Sequence, residues 1–137
     1  MPPLPLPPEL DEFLRRPNPA VVASLRPDGS PHTAATWYLW DRERILLNMD
    51  ESRLRLGFLR RDPRVALTVL DEGSWYRDVS LLGEVVEIYD DEGLSDIDRL
   101  ALHYAGDPFR NRESHRVSAW LEPHSWHAWD DAGPWRG

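Results

Sequence analysis

The spacing of hydrophobic and polar positions along the chain predicts both strands and helices. Alternation with a period of two, or a short apolar run, indicates strands at 20–25, 31–40, 44–49, 64–70, 75–89, 114–121 and 125–129. Apolar residues three and four apart indicate helices at 9–16, at 90–104 and within 51–64. Six or seven mostly antiparallel strands with about three helices predict an α+β domain built on a small β-barrel.

Turn and breaker residues separate these elements. The run Arg26-Pro27-Asp28-Gly29 predicts a tight turn between the first two strands. Asp62-Pro63 should end the helix within 51–64 near Arg61, because the residue before a proline disfavours the α region. Gly83, inside a predicted strand, indicates a bulge or bend.

The chain divides into one domain with two short ends. Residues 1–8 contain five prolines, which predicts an extended arm that is free or lies on a neighbouring subunit. Residues 9–130 are predicted to form a single domain, since 137 residues suit one hydrophobic core. Residues 131–137 are then a short C-terminal tail.

The helix predicted within 51–64 is rich in arginine. It carries five in fourteen residues, namely Arg53, Arg55, Arg60, Arg61 and Arg64. Asp50 or Ser52 is its predicted cap, and the free N–H groups of a helix start attract an anion. Cations in a first turn oppose the helix dipole, so Arg53 and Arg55 indicate a bound anion there. The alternative is a solvated surface helix.

The apolar residues of the same helix argue against simple solvation. Leu56 and Leu59 are three apart, Leu54 and Phe58 are four apart, and the two pairs fall on different faces. A helix that is apolar on two sides is expected to lie between its own sheet and a partner subunit.

Composition narrows the range of partners. The net charge of −8, from 16 basic and 24 acidic residues, argues against nucleic acid or an anionic membrane. The absence of cysteine excludes disulfides, thiolate catalysis and cysteine-ligated zinc. His124 and His127 should point to opposite faces of a strand, so no metal site is predicted. With neither a signal peptide nor a membrane-spanning apolar run, a cytoplasmic protein is expected.

The aromatic residues lie mostly on predicted strands. Seven tryptophans are many for this length, and for most of them packing in a core or an interface is expected. Trp37 and Tyr38 are adjacent, so they face opposite sides of their strand. One can enter the core while the other lines a flat pocket, and an aromatic pocket beside an arginine-rich helix suggests a planar ligand with an anionic tail.

Several of these segments form a recognisable series. Arg53-Leu54-Arg55 followed by Leu59-Arg60-Arg61-Asp62-Pro63-Arg64 looks like an R-x-K…NL-x-x-DPR motif. Residues 31–38 look like a ring-facing strand, Tyr76-Arg77 with Gly83 like an aromatic-Arg…Gly strand, and Arg116-Val117 with Pro123 and Trp129 like a closing RV…P…W segment. From Leu10 to Trp129 the chain thus resembles the pyridoxamine 5′-phosphate oxidase-like superfamily, in its actinobacterial F420-dependent branch. Arg55 and Phe58 depart from that pattern, which usually has lysine and asparagine there.

The resemblance implies a split β-barrel of the FMN-binding type, as a homodimer with two cofactor sites at the subunit interface. It implies an F420-dependent oxidoreductase that transfers a hydride between the deazaflavin C5 and a small organic substrate. The residues that it implies for cofactor binding are Thr36, Trp37, Ser52, Arg53, Arg55, Arg60, Arg61 and Arg64. In this reading Arg53 and Arg55 hold the phosphate, and Arg60, Arg61 or Arg64 meets the polyglutamate tail. Tyr76 and Arg77 are the implied catalytic residues, which would orient or supply a proton.

Two alternatives remain open at the level of sequence. One is an FMN-dependent oxidoreductase or oxidase of the same fold, with oxygen or a quinone as acceptor. The other is a non-catalytic protein that carries F420 or a flavin. The fold does not identify the substrate.

Overall fold

The computed structural model describes residues 1–135, which contain three α-helices and eight strands. The helices are α1 Pro8–Leu14, α2 Leu54–Arg61 and α3 Ser95–Ala105, and a 3₁₀ turn at Glu92–Leu94 precedes α3. The strands are β1 Ala20–Leu25, β2 Pro31–Thr36, β3 Leu39–Asp41, β4 Arg44–Asp50, β5 Arg64–Leu70, β6 Asp78–Asp90, β7 Arg116–Asp130 and β8 Gly133–Pro134. The last two residues of the predicted tail lie outside the described part.

All strands join one antiparallel sheet in the order β2-β1-β5-β6-β7-β4-β3, and β8 pairs with β7. The two longest strands, β6 and β7, lie at the centre of the sheet and pair with each other. On its other side β6 pairs with β5, and β7 pairs with β4. This arrangement confirms the predicted α+β split β-barrel. No helix within residues 1–135 is long and apolar enough to cross a membrane.

The two edges of the sheet are joined by only two residues. The single strand predicted at 31–40 is wrong, because the chain breaks at Trp37 and Tyr38. Before the break β2 pairs with β1, and after it β3 pairs with β4 at the opposite edge. A two-residue link can connect these edges only if the sheet curls, which produces the barrel.

Tyr38 anchors this link in the core. Its side chain is fully buried, and its hydroxyl lies 2.9 Å from the carbonyl oxygen of Leu14 and 3.1 Å from that of Arg16. Through these contacts the link is tied to the end of α1, which buries Leu10, Phe13 and Leu14 in the same hydrophobic core.

The proline-rich arm lies on its own barrel rather than being free or on a neighbour. The backbone N–H of Trp126 donates to the Pro2 carbonyl at 3.0 Å, and its indole Nε1–H donates to the Pro3 carbonyl at 3.2 Å. Leu6 is buried in the main core. The prediction failed because an extended proline segment can offer carbonyls to any strand with free donors, and the sequence does not identify that strand.

Two predicted boundaries are also wrong. The strand predicted at 75–89 begins only at Asp78, because residues 71–77 form a turn closed by hydrogen bonds such as Asp71 N–H to the Arg77 carbonyl at 2.9 Å. The helix predicted at 90–104 begins at Ser95, because Gly93 and Leu94 adopt left-handed φ angles of 75° and 63°. These angles interrupt any right-handed helix that starts at residue 90.

The two last predicted strands form one continuous strand, β7. Pro123 was expected to separate them, but it lies opposite Gly83, where the pairing of β6 with β7 shifts register. The shift accommodates the missing N–H of the proline, and it confirms the irregularity predicted at Gly83. An added Cβ on Gly83 would overlap the Glu122 carbonyl oxygen and lie 2.7 Å from the Pro123 Cα, so only glycine fits here.

We therefore expect Gly83→Ala to destabilise the protein by about 2–3 kcal/mol, because backbone atoms of β7 must move to admit the methyl group. The matched control is Gly57→Ala in α2, where an added Cβ meets nothing within 4 Å. That change should stabilise the protein by about 0.5–1 kcal/mol, the usual gain for alanine in a helix. Urea unfolding measures both, and equal effects of the two substitutions would contradict the close contact at Gly83.

Candidate functional site

Helix α2 begins without a side-chain cap. The predicted caps, Asp50 and Ser52, are wrong, because the helix begins at Leu54 with Arg53 as its N-cap residue. The Asp50 carboxylate instead accepts hydrogen bonds from the backbone N–H of Ser52 at 2.9 Å and from its hydroxyl at 2.7 Å. The first turn of α2 therefore has no acidic side chain and keeps its attraction for an external anion.

A cleft of about 860 Å³ opens beside this helix start. Its walls come from the segment between α1 and β1, from β2 and the β2–β3 link, from β4, from the start of α2, from α3 and from the start of β7. The side chains that give it chemical character are Thr36, Trp37, Asn48, Arg53, Arg55, Glu72, Tyr104, Phe109 and Arg116, beside apolar residues such as Ala34, Ile97 and Leu100. Four predicted site residues, namely Thr36, Trp37, Arg53 and Arg55, are thus brought together.

Three arginines converge on the cleft without a carboxylate partner. Among the described residues, none of Arg53, Arg55 and Arg116 forms a salt bridge, although seven other arginines do (Arg15, Arg42, Arg44, Arg64, Arg77, Arg99 and Arg112). Like charges held close together in a partly buried site repel one another. The charges of Asp50 and Asp91 offset part of this repulsion at Arg116 without forming a salt bridge, and an anionic ligand would offset more of it.

Arg55 shows the strongest sign of an absent partner. Its Nε is buried and has no hydrogen-bond partner in the described structure. Burial holds the pKa of Arg55 below its usual value, and the charges of Arg53 and Arg116 lower it further. A buried donor without an acceptor is costly, so an acceptor group such as a phosphate oxygen fits this position.

Sequence reasoning assigned no role to Arg116. Its Nε donates to the Asn48 side-chain oxygen at 2.9 Å, and its guanidinium group lies 4.8 Å from the centre of the Phe109 ring. Burial lowers the pKa of Arg116. The pairing of β4 with β7 sets Arg116 opposite Asp50, which brings it close to α2 across a long separation in sequence.

An aromatic pair forms another wall of the cleft. Trp37 stacks on Tyr104 with 5.2 Å between ring centres and 6° between ring planes. Trp37 is 36% exposed whereas Tyr38 is fully buried, so the adjacent aromatics occupy opposite environments, as their spacing predicts. Thr36 lies next to them, and its hydroxyl donates to the Trp37 carbonyl at 2.8 Å.

The Tyr104 hydroxyl is already engaged by the fold. It donates to the Asn18 carbonyl at 2.6 Å and accepts from the backbone N–H of Tyr38 at 3.4 Å. Burial raises the pKa of Tyr104 well above its usual value. Tyr104 therefore supports the stacked ring of Trp37 and stays a neutral phenol.

Four other predicted residues lie outside the cleft lining. The Ser52 hydroxyl is bound to Asp50. Arg64 forms a two-point ion pair with Asp62, at 2.7 and 3.1 Å, which holds the pKa of the Asp62 carboxyl at about 2. Arg60 and Arg61 occupy the exposed last turn of α2, about 10 Å along the helix axis from Arg53.

Tyr76 and Arg77 lie in the turn before β6, away from the cleft of their own chain. Tyr76 is 60% exposed and stacks on Trp75 with 4.5 Å between ring centres. Arg77 pairs with Asp131 at 3.0 Å and with Asp71 at 3.8 Å. Their predicted catalytic role remains a prediction.

Acidic and metal-binding groups contribute little to the cleft. Glu72 is the one carboxylate among the lining residues, and its backbone N–H donates to the Asn18 side-chain oxygen at 3.3 Å. Across residues 1–135, no group of three or more His, Asp or Glu side chains is arranged to hold a metal ion.

His115 fixes the turn that carries Arg53. Its Nδ1 lies 2.5 Å from a Glu51 carboxylate oxygen, and its Nε2 lies 2.9 Å from an Asp90 carboxylate oxygen. Only the protonated imidazole can donate from both nitrogens. The hydrogen bond to Asp90, followed by the charge of Glu51, raises the pKa of His115.

The sequence from residue 6 to residue 130 matches the family described as pyridoxamine 5′-phosphate oxidase. Among solved structures, an F420 reductase is 27% identical with a TM-score of 0.79, over 88% of this chain and 98% of that one. A conserved hypothetical protein of Mycobacterium tuberculosis is 25% identical with a TM-score of 0.71, over 93% of this chain and 86% of that one.

General stress protein 26 of Bacillus anthracis shares the fold at 17% identity, with a TM-score of 0.63 over 89% of this chain and 95% of that one. Among curated protein sequences, none matches the chain significantly.

The raised pKa of His115 gives a pH-dependent contribution to stability. The contribution is fully present below the unfolded histidine pKa of about 6.5 and is lost as the pH rises through the higher folded value. Thermal unfolding of the wild type and of His115→Gln between about pH 5.5 and pH 9 should show a difference that shrinks as the pH rises. A difference that stays constant or grows with pH would show that the double contact does not form in solution.

Proposed function

The chain belongs to the pyridoxamine 5′-phosphate oxidase family, and from this premise we propose that it is an oxidoreductase that uses the deazaflavin coenzyme F420. The observation that carries the proposal is the convergence, beside a stacked aromatic pair, of three arginines that form no salt bridge within residues 1–135. Such a cleft suits a ligand with a planar ring at one end and an anion at the other. The 27% identity to an F420 reductase supports the choice of cofactor.

Arg53, Arg55 and Arg116 are the proposed phosphate ligands. The Nε of Arg55 is buried and has no acceptor in the described structure, so a phosphate oxygen would satisfy it. Arg53 lies at the start of α2, which has no side-chain cap. Guanidinium groups bind phosphate through paired, charge-assisted hydrogen bonds. Arg55, where the resemblance leads one to expect lysine, can offer two such bonds instead of a single point charge.

Thr36 and Trp37 are proposed to border the ring, with Tyr104 behind Trp37. When bound, the deazaflavin supplies hydride transfer at its C5 to or from a small organic substrate. The protein positions the reactants and excludes water through Trp37 and the apolar residues Ala34, Ile97 and Leu100.

Within residues 1–135, the lining of the cleft contains no histidine and no phenol other than that of Tyr104. Tyr104 donates to a backbone carbonyl and has a raised pKa, so it holds its proton. Tyr76 and Arg77, the proposed catalytic residues, lie outside this cleft, and they could serve only the cleft of a partner subunit. Without them, water must supply the proton.

We also propose a homodimer. Exposed apolar side chains remain on α2 and on the turn before β6, where Leu54 is 72%, Trp75 68% and Tyr76 60% exposed. An obligate interface usually buries more than about 2,000 Å² and resembles a core cut in half.

Light scattering at low micromolar concentration should therefore give the mass of two chains. Leu54→Glu should shift this mass towards the monomer, because it places a charge in the proposed interface. Leu102→Glu, on the exposed face of α3, is the matched control and should leave the mass unchanged. A monomeric wild type would refute the homodimer.

One observation favours FMN as the alternative cofactor. The proposed track for a polyglutamate tail needs arginines that are free of other partners, but Arg64 is held by Asp62. Only Arg60 and Arg61 remain for the tail, whereas the phosphate site has three arginines. FMN, which has a phosphate but no such tail, would need only the phosphate site with its three arginines.

Arg53→Ala and Arg55→Ala should each weaken F420 binding about tenfold or more and leave the fold intact, because a charge-assisted hydrogen bond contributes about 1.5–3 kcal/mol. Fluorescence titration measures the affinities. Arg99→Ala, which removes an exposed arginine paired with Asp41, is the control and should bind as the wild type does. Unchanged F420 affinity in both cleft variants would show that Arg53 and Arg55 do not bind the cofactor.

The preference between cofactors should depend on salt. F420 should bind more tightly than FMN at low ionic strength, because its tail carboxylates add contacts to Arg60 and Arg61. The advantage should shrink as salt shortens the screening length to about 8–10 Å or less. Equal or tighter binding of FMN would indicate a flavin-dependent protein instead. So would a preference for F420 that does not change with salt concentration.

A further inference from the structure

The cleft arginine to which the sequence assigned no binding role, Arg116, is held by a buried amide. Asn48 lies in β4 between core residues and is only 6% exposed. Its Nδ2 group donates to the Asp91 carboxylate and to the Ser118 hydroxyl, both at 3.0 Å, and its Oδ1 accepts from Arg116 Nε at 2.9 Å. Every hydrogen-bonding group of this amide therefore has a partner.

The partners leave the amide only one orientation. Asp91 can only accept, and Arg116 can only donate. Turning the amide over would set its oxygen against the Asp91 carboxylate and its N–H groups against Arg116. The oxygen of Asn48 therefore faces the cleft side, where Arg116 lies.

Asp91 is itself held by the start of α3. Its carboxylate accepts from the backbone N–H of Asp96 at 3.1 Å and from that of Ile97 at 2.9 Å. The Ser118 hydroxyl donates to Asp96 at 2.7 Å and so keeps its lone pairs for Asn48. The amide is thus fixed by a rigid, fully bonded network that begins at a helix terminus.

From this geometry we propose, on the basis of the proposed function, that Asn48 is a positioning residue that aims Arg116 at the cofactor phosphate. Asn48 accepts a hydrogen bond only from the Nε–H of Arg116, and the Phe109 ring covers one face of the guanidinium group. The two terminal nitrogens stay available to a ligand. Because the amide is neutral, it orients Arg116 without cancelling its charge, which a carboxylate at this position would do.

The test compares ligands that differ only in their phosphate-bearing part. Wild type, Asn48→Ala and Asn48→Asp are titrated with F420 and FMN, and with the corresponding ribityl compounds that lack phosphate. Asn48→Ala should weaken binding of the phosphate-bearing forms about five- to tenfold, the scale of one hydrogen bond to a charged group, and change the phosphate-free forms by less than about twofold. Asn48→Asp should lose at least as much, because its carboxylate neutralises Arg116.

Thr68→Val is the matched control. It removes a 3.0 Å hydrogen bond to Ser80 between two barrel strands, and Thr68 does not line the cleft. All four ligands should bind this variant as they bind the wild type. An equal loss for phosphate-bearing and phosphate-free ligands in Asn48→Ala, or no loss in either Asn48 variant, would overturn the positioning role.

A second measurement needs no ligand. Hydrogen exchange of the Arg116 Nε–H, followed by NMR, should be slower than that of the exposed Arg60 in wild type and should approach the Arg60 rate in Asn48→Ala. If wild-type protein does not favour phosphate-bearing ligands, the proposed cofactor is wrong, and the exchange rates still decide whether Asn48 holds Arg116. Equal exchange of Arg116 and Arg60 in wild type would refute the contact.

Discussion

The cleft is governed by the repulsion among three guanidinium groups, none of which forms a salt bridge in the described part of the chain, although the charges of Asp50 and Asp91 offset part of it at Arg116. Burial lowers the pKa of Arg55 and that of Arg116, and the charge of Arg53 lowers both further. A fold tolerates such a cluster only when other contacts hold it in place. One such contact is the pairing of His115 with Glu51 and Asp90, beside the turn that carries Arg53. The other is the hydrogen bond from Arg116 to the buried Asn48 side chain. An acidic protein that keeps a local basic cluster in this way is organised to receive an anion.

The barrel closure explains why the aromatic wall stands beside these arginines. The two-residue link between β2 and β3 must bury Tyr38 to fasten the sheet edges, and Trp37 is then turned to the other side. There it stacks on Tyr104 of α3, while β4 continues from β3 and ends at the turn that carries Arg53. One feature of topology therefore brings the proposed ring site and the proposed phosphate site into one cleft.

Local signals predicted much of this arrangement. The end of α2 follows from Asp62-Pro63, the irregularity at Gly83 from a glycine inside a strand, and the opposite environments of Trp37 and Tyr38 from strand alternation. The break between β2 and β3 was missed because it is imposed by pairing with two distant strands. Asn48 and Arg116 were missed for the same reason, since 68 residues separate them and only the β4–β7 pairing brings them together. The five arginines of residues 51–64 divide into a cleft pair, Arg53 and Arg55, and three others only in the structure, because the sequence does not show which of them face the cleft.

The claim that the cleft arginines await an anion is tested most directly by the unfolding free energy of Arg55→Met. This free energy is measured by urea denaturation with and without saturating F420. Methionine keeps an unbranched side chain that reaches as far as the Nε position and removes the charged guanidinium group. Without ligand, Arg55→Met should be more stable than the wild type by about 1 kcal/mol, because replacing a poorly compensated buried charge with an apolar side chain often stabilises a protein. With F420 the order should reverse, because the wild type gains more binding free energy. A variant that is less stable than the wild type without ligand would contradict the claim that these arginines await an anion.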